Sequence, residues 1–212
     1  MKRLEDLARA VGYAPPEGDV AITGVTDDSR LVEPGALFVA HAGVDADGHA
    51  FVAAALARGA AAIVSERPVE VDVPSWVVPD GRRALAQWAA AFYERPTRDL
   101  TCFGVTGTNG KTSVCHFLAH LLGEAETAVL GTVANFSRGL RALTTPSSPV
   151  VQRFAREAAD AGCRYFVVEA SSAGLEQERL AEIDFRVGVF TNLTRDHLDL
   201  HGTLEAYGDA KS

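Results

Sequence analysis

Cysteine occurs three times, at positions 102, 115 and 163, an odd number at unrelated spacings that offers no disulfide framework. Two of the three lie in apolar periodic segments, so all read as reduced core residues of a cytosolic protein. No apolar run approaches the ~18 residues of a membrane span. The start, Met1-Lys2-Arg3, meets Glu5 and Asp6 at once, so no export signal is expected either and the expected compartment is the cytoplasm. Positive charge is short as well: 20 Lys and Arg against 28 Asp and Glu give a net charge of −8. That excludes a general nucleic-acid-binding role, because neutralising phosphates needs a basic face. Any anionic ligand must be held locally.

What is present is the composition of a soluble globular protein, 47% hydrophobic and 23% charged over 212 residues, enough for one large domain or two small ones. The spacing predicts a short helix over Lys2 to Ala10, ended by Gly12 and Pro15-Pro16. Strand-like stretches follow at Val20 to Thr26 and Ala36 to His41, joined through Glu33-Pro34-Gly35, then an alanine-rich helix from Ala50 to Arg58 closed by Gly59. Ala61 to Val64 and Trp76 to Val78 read as strands and Arg82 to Tyr93 as a helix. This alternation predicts a small α/β domain over residues 1–97, bounded by Glu94-Arg95-Pro96-Thr97, and a second over 98–212.

The second domain opens on the most informative stretch of the chain. Leu100 to Val105 reads as a buried strand, Gly107-Thr108-Asn109-Gly110-Lys111-Thr112-Ser113 as a turn, and Val114 to Leu122 as a helix. Strand, glycine turn and helix make a phosphate cradle: amides of Gly107 to Lys111 can converge on an anion at the helix N-terminus, Lys111 adds a point charge, and the Thr112 hydroxyl suits Mg2+. The pattern G-x-x-x-x-G-K-[ST] would need glycine at 105, where valine stands, so the motif is the shorter G-T-N-G-K-T. A glycine turn that merely caps a helix is the plain alternative.

Downstream, Thr127 to Leu130, Arg164 to Val168 and Phe185 to Phe190 read as strands, and Pro149 to Ala161 as a helix with Ser148 as its cap. In an open parallel sheet ligands lie beyond the carboxyl ends of the strands, which places the cradle, Glu169 and Asn192 on one rim. A glutamate at a strand end is by itself more often a solvated carboxylate; the cradle on the same rim favours a metal ligand. Thr203 is expected to cap a last helix that carries Tyr207 and Lys211 on one face. With about four strands and that short helix, the second domain reads as an incomplete parallel sheet.

Four segments, in this order and spacing, resemble the Mur ligases, ATP-dependent enzymes of peptidoglycan synthesis: Asp28-Ser29-Arg30 with Pro34-Gly35-Ala36-Leu37-Phe38; Thr106 to Thr112; Thr144-Thr145-Pro146; and Asn192 to Lys211. The likeness is to the branch that adds the third peptide residue to UDP-N-acetylmuramoyl-L-alanyl-D-glutamate. It implies a UDP-binding first domain, with Ser29 and the loop Val44, Asp45, Ala46 near the uridine diphosphate, followed by a P-loop ATPase-type domain. Thr144, Thr145, Ser171, Gln177 and Arg179 match substrate-contact positions. Gly107 to Ser113 match the ATP phosphate site. Glu169 and His197 match magnesium ligands, with Thr112 completing the ion's shell, and Lys211 matches a lysine carried as a carbamate, an anionic ligand where ammonium could not serve.

The implied chemistry is activation of a substrate carboxylate by ATP as an acyl phosphate, followed by attack of an amino acid's amine. It relies on positioning and charge neutralisation by Lys111 and magnesium. The resemblance also implies no nucleic-acid or membrane partner and a monomer at full length. It covers less than half of a family chain, so turnover by these 212 residues alone is not expected, and a non-catalytic module binding nucleotide or UDP-sugar peptide is the alternative. The family's usual Ser-Ser-His-Gly-Leu reads Ser171-Ser172-Ala173-Gly174-Leu175 here, leaving one imidazole out of the substrate loop. His41 and His49 read as structural or surface residues, and His201 as structural or substrate-facing.

Overall fold

Two units emerge from the contacts of the computed structural model, Met1–Glu94 and Arg95–Ser212; residues 1–18, 20–44, 46–137, 143–194 and 202–211 are described. In the first, β1 (Lys2–Arg3) pairs antiparallel with β2 (Ala21–Ile22), and α1 spans Leu4–Ala10. Four parallel strands follow in spatial order: β3 (Gly24–Thr26), β4 (Ala36–Ala40), β5 (Ala62–Ser65) and β6 (Ser75–Val77).

Every residue of β4 is buried, as a strand covered on both faces requires. Alternation along it splits the core in two. Leu37 and Val39 pack with Leu4, Leu7 and Trp88 on the side of α1 and α3 (Gly81–Phe92), while Phe38 and Ala40 pack with Val52 and Ala55 of α2 (Val52–Ala57). Asp80 caps α3 by accepting from Arg83 N at 3.0 Å.

The second unit repeats this layering. β7 (Thr101–Thr106), α4 (Lys111–Leu122), β8 (Thr127–Leu130), α5 (Thr132–Ser137), α6 (Ser148–Asp160), β9 (Tyr165–Glu169), α7 (Ser172–Glu176) and β10 (Phe185–Phe190) lead to a final helix, Leu204–Asp209. The strands are parallel in the order β10-β7-β9-β8. Val105, Val167 and Cys115 form the core beneath α4, and Phe166, Val168 and Phe154 the core beneath α6. Burial pushes the Cys102 and Cys115 thiols up to about 12, so neither serves as a nucleophile. β10 is the outer strand on its side and exposes Val187 and Phe190.

Three expectations are corrected: Lys2–Arg3 forms a strand instead of opening α1, the stretch Val20 to Thr26 divides between β2 and β3 in separate sheets, and the α6 cap shifts. Helix α6 starts at Ser148, so Ser147 and not Ser148 holds the capping position, and its side chain makes no capping bond. Pro149, second in the helix, lacks the N–H that a cap would take there. The register aligns Val105 with Glu169, Leu130 with Val168 and Phe190 with Thr106. The carboxyl ends of all four strands therefore open onto one rim.

Candidate functional site

Between Thr106 and Lys111 the chain turns on two glycines, Gly107 at φ +136° and Gly110 at φ +84°, conformations that side-chain-bearing residues rarely adopt. Gly110 precedes α4, whose first-turn amides have no partner within the helix and face the turn. The end of β10 braces this loop. Asn192 O accepts from Thr108 N at 2.9 Å, Asn192 Oδ1 accepts from Asn109 N at 3.1 Å, and the Thr191 hydroxyl donates to Asn109 O at 2.7 Å. Two amides that the sequence offers to an anion thus donate to Asn192 in this conformation. The Lys111 ammonium curls over the turn, donating to Gly107 O at 2.7 Å and Thr108 O at 2.9 Å. Ser113 is exposed on the helix's first turn.

Glu169 ends β9 at the mouth of this loop and is only 2% exposed. Its carboxylate accepts from Thr112 Oγ1 at 3.1 Å, Thr132 N at 3.0 Å and Thr132 Oγ1 at 3.3 Å. Gly131 makes this approach possible, since a Cβ there would lie 2.6 Å from Glu169 Cγ and Cδ. A buried carboxylate beside a threonine hydroxyl is a hard-oxygen donor set, and Mg2+ is ordinarily held by one or two carboxylates with phosphate and water oxygens. Glu169 and Thr112 fit such an ion. Among the described residues no group of three or more His, Cys, Asp or Glu side chains is placed to hold a metal ion.

Beside Glu169 lies a hydroxyl-rich patch. Thr145, fully buried, donates to Glu169 O at 2.7 Å, and the Ser171 amide and hydroxyl both reach Thr145 Oγ1 at 3.0 Å. Arg179 donates to Thr145 O at 2.7 Å and to Gln177 Oε1 at 2.6 Å. Thr144 is half-buried and lies 3.2 Å from Thr132 Oγ1, hydroxyl to hydroxyl. Ala173 lies in α7 and is half-buried; its neighbour Gly174 packs so tightly that a Cβ would meet Thr145 Cβ at 2.7 Å. Lys211, 8% exposed, sits over the Tyr207 ring at 4.4 Å, with Nζ 3.5 Å from Thr106 Oγ1 and 3.4 Å from Gly107 O. Lys111 and Lys211 therefore meet at the same carbonyl.

The sequence reading missed Gly131, Thr132 and Asn135. Asn135 Nδ2 donates to Leu143 O at 2.7 Å and Thr144 O at 3.2 Å, anchoring the start of the hydroxyl patch. The signal was available: all three follow β8 at its carboxyl end, the rim where ligand groups gather.

In the first unit, the Asp28 carboxylate accepts from the Arg30 guanidinium, Oδ1 from Nε at 2.9 Å and Oδ2 from Nη2 at 2.7 Å and Nε at 3.2 Å, and caps the turn that starts at Ser29. The Arg30 hydrogen bond pulls Asp28 below the usual carboxylate value. Val44 and Ala46 are exposed on the loop after β4, and Gly43 N donates to Ala46 O at 2.9 Å. His49 is fixed from both sides. Its Nε2 accepts from Glu66 N at 3.1 Å, so Nδ1 carries the hydrogen and donates to Asp47 at 2.6 Å, which holds Asp47 down to about 2. Glu66 in turn accepts from Ala42 N and Gly81 N, each at 2.9 Å.

His41 faces Asp27 at 3.3 Å and Glu66 nearby, and the Asp27 hydrogen bond raises it above its ordinary 6.5. A raised folded-state pKa gives stability that is fully present below pH 6.5 and lost as pH rises through the folded value. His41→Asn is therefore expected to destabilise the first unit more at pH 6 than at pH 9. Both tryptophans, Trp76 and Trp88, lie in that unit, so urea unfolding followed by their fluorescence measures it; equal differences at the two pH values would refute the assignment.

Asp45 and the segment 195–201, which includes His197 and His201, lie outside the described residues. The other sequence-predicted residues of the second unit, Gly107 to Ser113, Thr144, Thr145, Glu169, Ser171, Gln177, Arg179 and Lys211, gather at or next to one rim.

Comparison with known proteins finds two family models: Mur ligase middle domain over residues 105–212 and Mur ligase family, catalytic domain, over residues 21–93. Among curated relatives, the UDP-N-acetylmuramoyl-L-alanyl-D-glutamate–2,6-diaminopimelate ligase of Geobacillus thermodenitrificans is 47% identical over 217 residues, 100% of this chain and 44% of that one. The UDP-N-acetylmuramyl-tripeptide synthetase of Roseiflexus sp. is 48% identical over 217 residues, 96% of this chain and 42% of that one. A solved UDP-N-acetylmuramoyl-L-alanyl-D-glutamate–2,6-diaminopimelate ligase superposes with a TM-score of 0.78 at 34% identity, covering 99% of this chain and 44% of that one. The chain thus spans less than half the length of these relatives. No helix among the described residues is long and apolar enough to cross a membrane.

Proposed function

The chain belongs to the Mur ligase family, and from that premise we propose that it forms the UDP-sugar-binding and ATP-binding portion of a cytoplasmic ligase that adds an amino acid to UDP-N-acetylmuramoyl-L-alanyl-D-glutamate. The observation that carries the reading is the union of three groups on one rim: the glycine turn with Lys111, the Thr112–Glu169 pair, and the hydroxyl patch of Thr144, Thr145 and Ser171.

Bound as Mg-ATP, the nucleotide supplies a phosphoryl group that activates a substrate carboxylate as an acyl phosphate for attack by the incoming amine. First-turn amides of α4 and Lys111 hold the phosphates, and Thr112 and Glu169 hold the ion, with His197 a further ligand by its motif position. Thr144, Thr145, Ser171, Gln177 and Arg179 orient the muramoyl peptide, while Ser29 and the Val44 to Ala46 loop of the first domain, residues 1–97, take the uridine diphosphate. Lys211 enters as a carbamate, whose oxygens accept hydrogen bonds and can serve the ion. The nitrogen of the carbamate keeps one hydrogen, which can still donate to Gly107 O, while a carbamate oxygen can accept from the Thr106 hydroxyl. An ADP complex of a Thermotoga maritima MurF ligase, a fold neighbour at 24% identity, agrees with a nucleotide site in this fold. Turnover is assigned to the longer chain that the relatives have; the residues here bind and position.

Calorimetric titration of the 212-residue chain with Mg-ATP and with UDP-N-acetylmuramoyl-L-alanyl-D-glutamate tests this. Both are expected to bind. Lys111→Met should weaken nucleotide about 100-fold, the loss of a charge-assisted phosphate contact of roughly 2.7 kcal/mol, and leave the UDP-sugar peptide unaffected. Absence of binding by the folded chain would sink the reading.

A further inference from the structure

Among the described residues, the Thr132 side chain touches both halves of the rim. Its hydroxyl lies 3.3 Å from Glu169 Oε2 and 3.2 Å from Thr144 Oγ1, and its amide separately holds Glu169 Oε1 at 3.0 Å. The other bond from Glu169 to the patch, from Thr145 Oγ1, ends on the main-chain oxygen and does not sense the carboxylate. We propose that Thr132 is a positioning residue that couples the nucleotide-ion site to the peptide subsite, by reversing the direction of hydrogen bonding along Glu169, Thr132 and Thr144. This rests on the reading of Glu169 as an ion ligand and Thr144 as a substrate contact.

The argument is a count of hydrogens. A threonine hydroxyl has one hydrogen to give and two lone pairs. With Glu169 free of metal, its carboxylate is the stronger acceptor, so Thr132 donates to Oε2 and Thr144 donates to Thr132. Thr144 then has no hydrogen left for a ligand. A divalent cation on Oε2 competes for the lone pairs that Thr132 uses. The Thr132 hydrogen is then released to point at Thr144 Oγ1, and the Thr144 hydrogen turns outward to an acceptor on the muramoyl peptide. Filling one site thereby prepares the other, and linkage makes the effect reciprocal. Gly131 fits the scheme, because any side chain there would push the carboxylate away from Thr132.

The test measures binding of UDP-N-acetylmuramoyl-L-alanyl-D-glutamate by calorimetry, with and without saturating Mg-ADP, for the chain and for Thr132→Val and Thr132→Ser. Thr132 is exposed and its amide contact survives substitution, so both variants are expected to fold, which thermal melting checks. For the unaltered chain Mg-ADP should tighten the UDP-sugar peptide at least fivefold, within the usual range of coupling between sites. Thr132→Val should bring that factor below about twofold, because Thr144 no longer has Thr132 to donate to, and Thr132→Ser should restore it. Full coupling in Thr132→Val, or none in Thr132→Ser, overturns the proposal. Both ligands binding the unaltered chain without coupling overturns it while leaving the functional reading intact. Neither ligand binding overturns both.

Discussion

Replacing Gly107 by alanine is expected to lower the stability of the second unit by about 2–4 kcal/mol, combining a strained backbone angle with a steric overlap, and to remove nucleotide binding at concentrations that saturate the unaltered chain. At φ +136° any side chain is strained, and space is also lacking. An added Cβ would overlap the Thr191 hydroxyl and lie 3.0 Å from both Asn192 N and Asn192 O. Thr191 holds Asn109 O at 2.7 Å, and Asn192 O holds Thr108 N at 2.9 Å. Relieving the overlap therefore breaks two of the contacts that shape the turn, and the loop loses its form together with its fit to phosphates. Calorimetric melting combined with Mg-ATP titration checks it. A variant with an unchanged melting temperature and affinity would show that the turn tolerates displacement from β10 and that its geometry is not what holds phosphate. Gly110→Ala is the comparison: its φ of +84° is also strained, but nothing lies within 4 Å of the added carbon, so it should cost less.

Gly107 also shows how far the residues speak for themselves. That a glycine turn joins a strand to a helix is legible locally, because G-T-N-G-K-T sits between an apolar strand and an apolar-periodic helix. The neighbour that makes alanine intolerable is Thr191, more than eighty residues later, and it arrives only through the parallel pairing of β10 with β7. Glu169 was legible as a strand-end acid, since β-α alternation predicts the rim. Its hold on Thr132 was not, because that depends on β8 and β9 pairing in register and on Gly131 lacking a side chain. The same holds for His49, read as structural or surface; its fixed tautomer comes from Glu66 on a neighbouring strand end. The α6 cap differs from the expected one by one residue because two adjacent serines carry the same local signal, and proline's preference for the first helical position points to Ser148 although the helix begins there. Pattern therefore located the groups, and register determined which of them meet.

Glu169→Gln should abolish the magnesium dependence of nucleotide binding while costing little stability. The carboxylate is buried and receives three hydrogen bonds, two on Oε2 from the Thr112 and Thr132 hydroxyls and one on Oε1 from the Thr132 amide. A glutamine can keep its oxygen on the Thr132 amide and turn its NH2 toward the two hydroxyls, which rotate to accept. The hydrogen-bonded frame survives, at a net cost of roughly 1 kcal/mol for exchanging charged for neutral partners. An ion cannot be kept this way, because an amide nitrogen offers it no lone pair and the negative charge is gone. In the unaltered chain, withdrawing magnesium should weaken ATP about 100-fold, or roughly 2.7 kcal/mol; in Glu169→Gln the affinity should equal that magnesium-free value with or without the metal. Calorimetric titration in chelator and in magnesium supplies both numbers for both proteins. If the variant still responds to magnesium as fully as the unaltered chain, the ion is held by other groups, and Thr112 with its β9 partner forms a structural bond instead of an ion site.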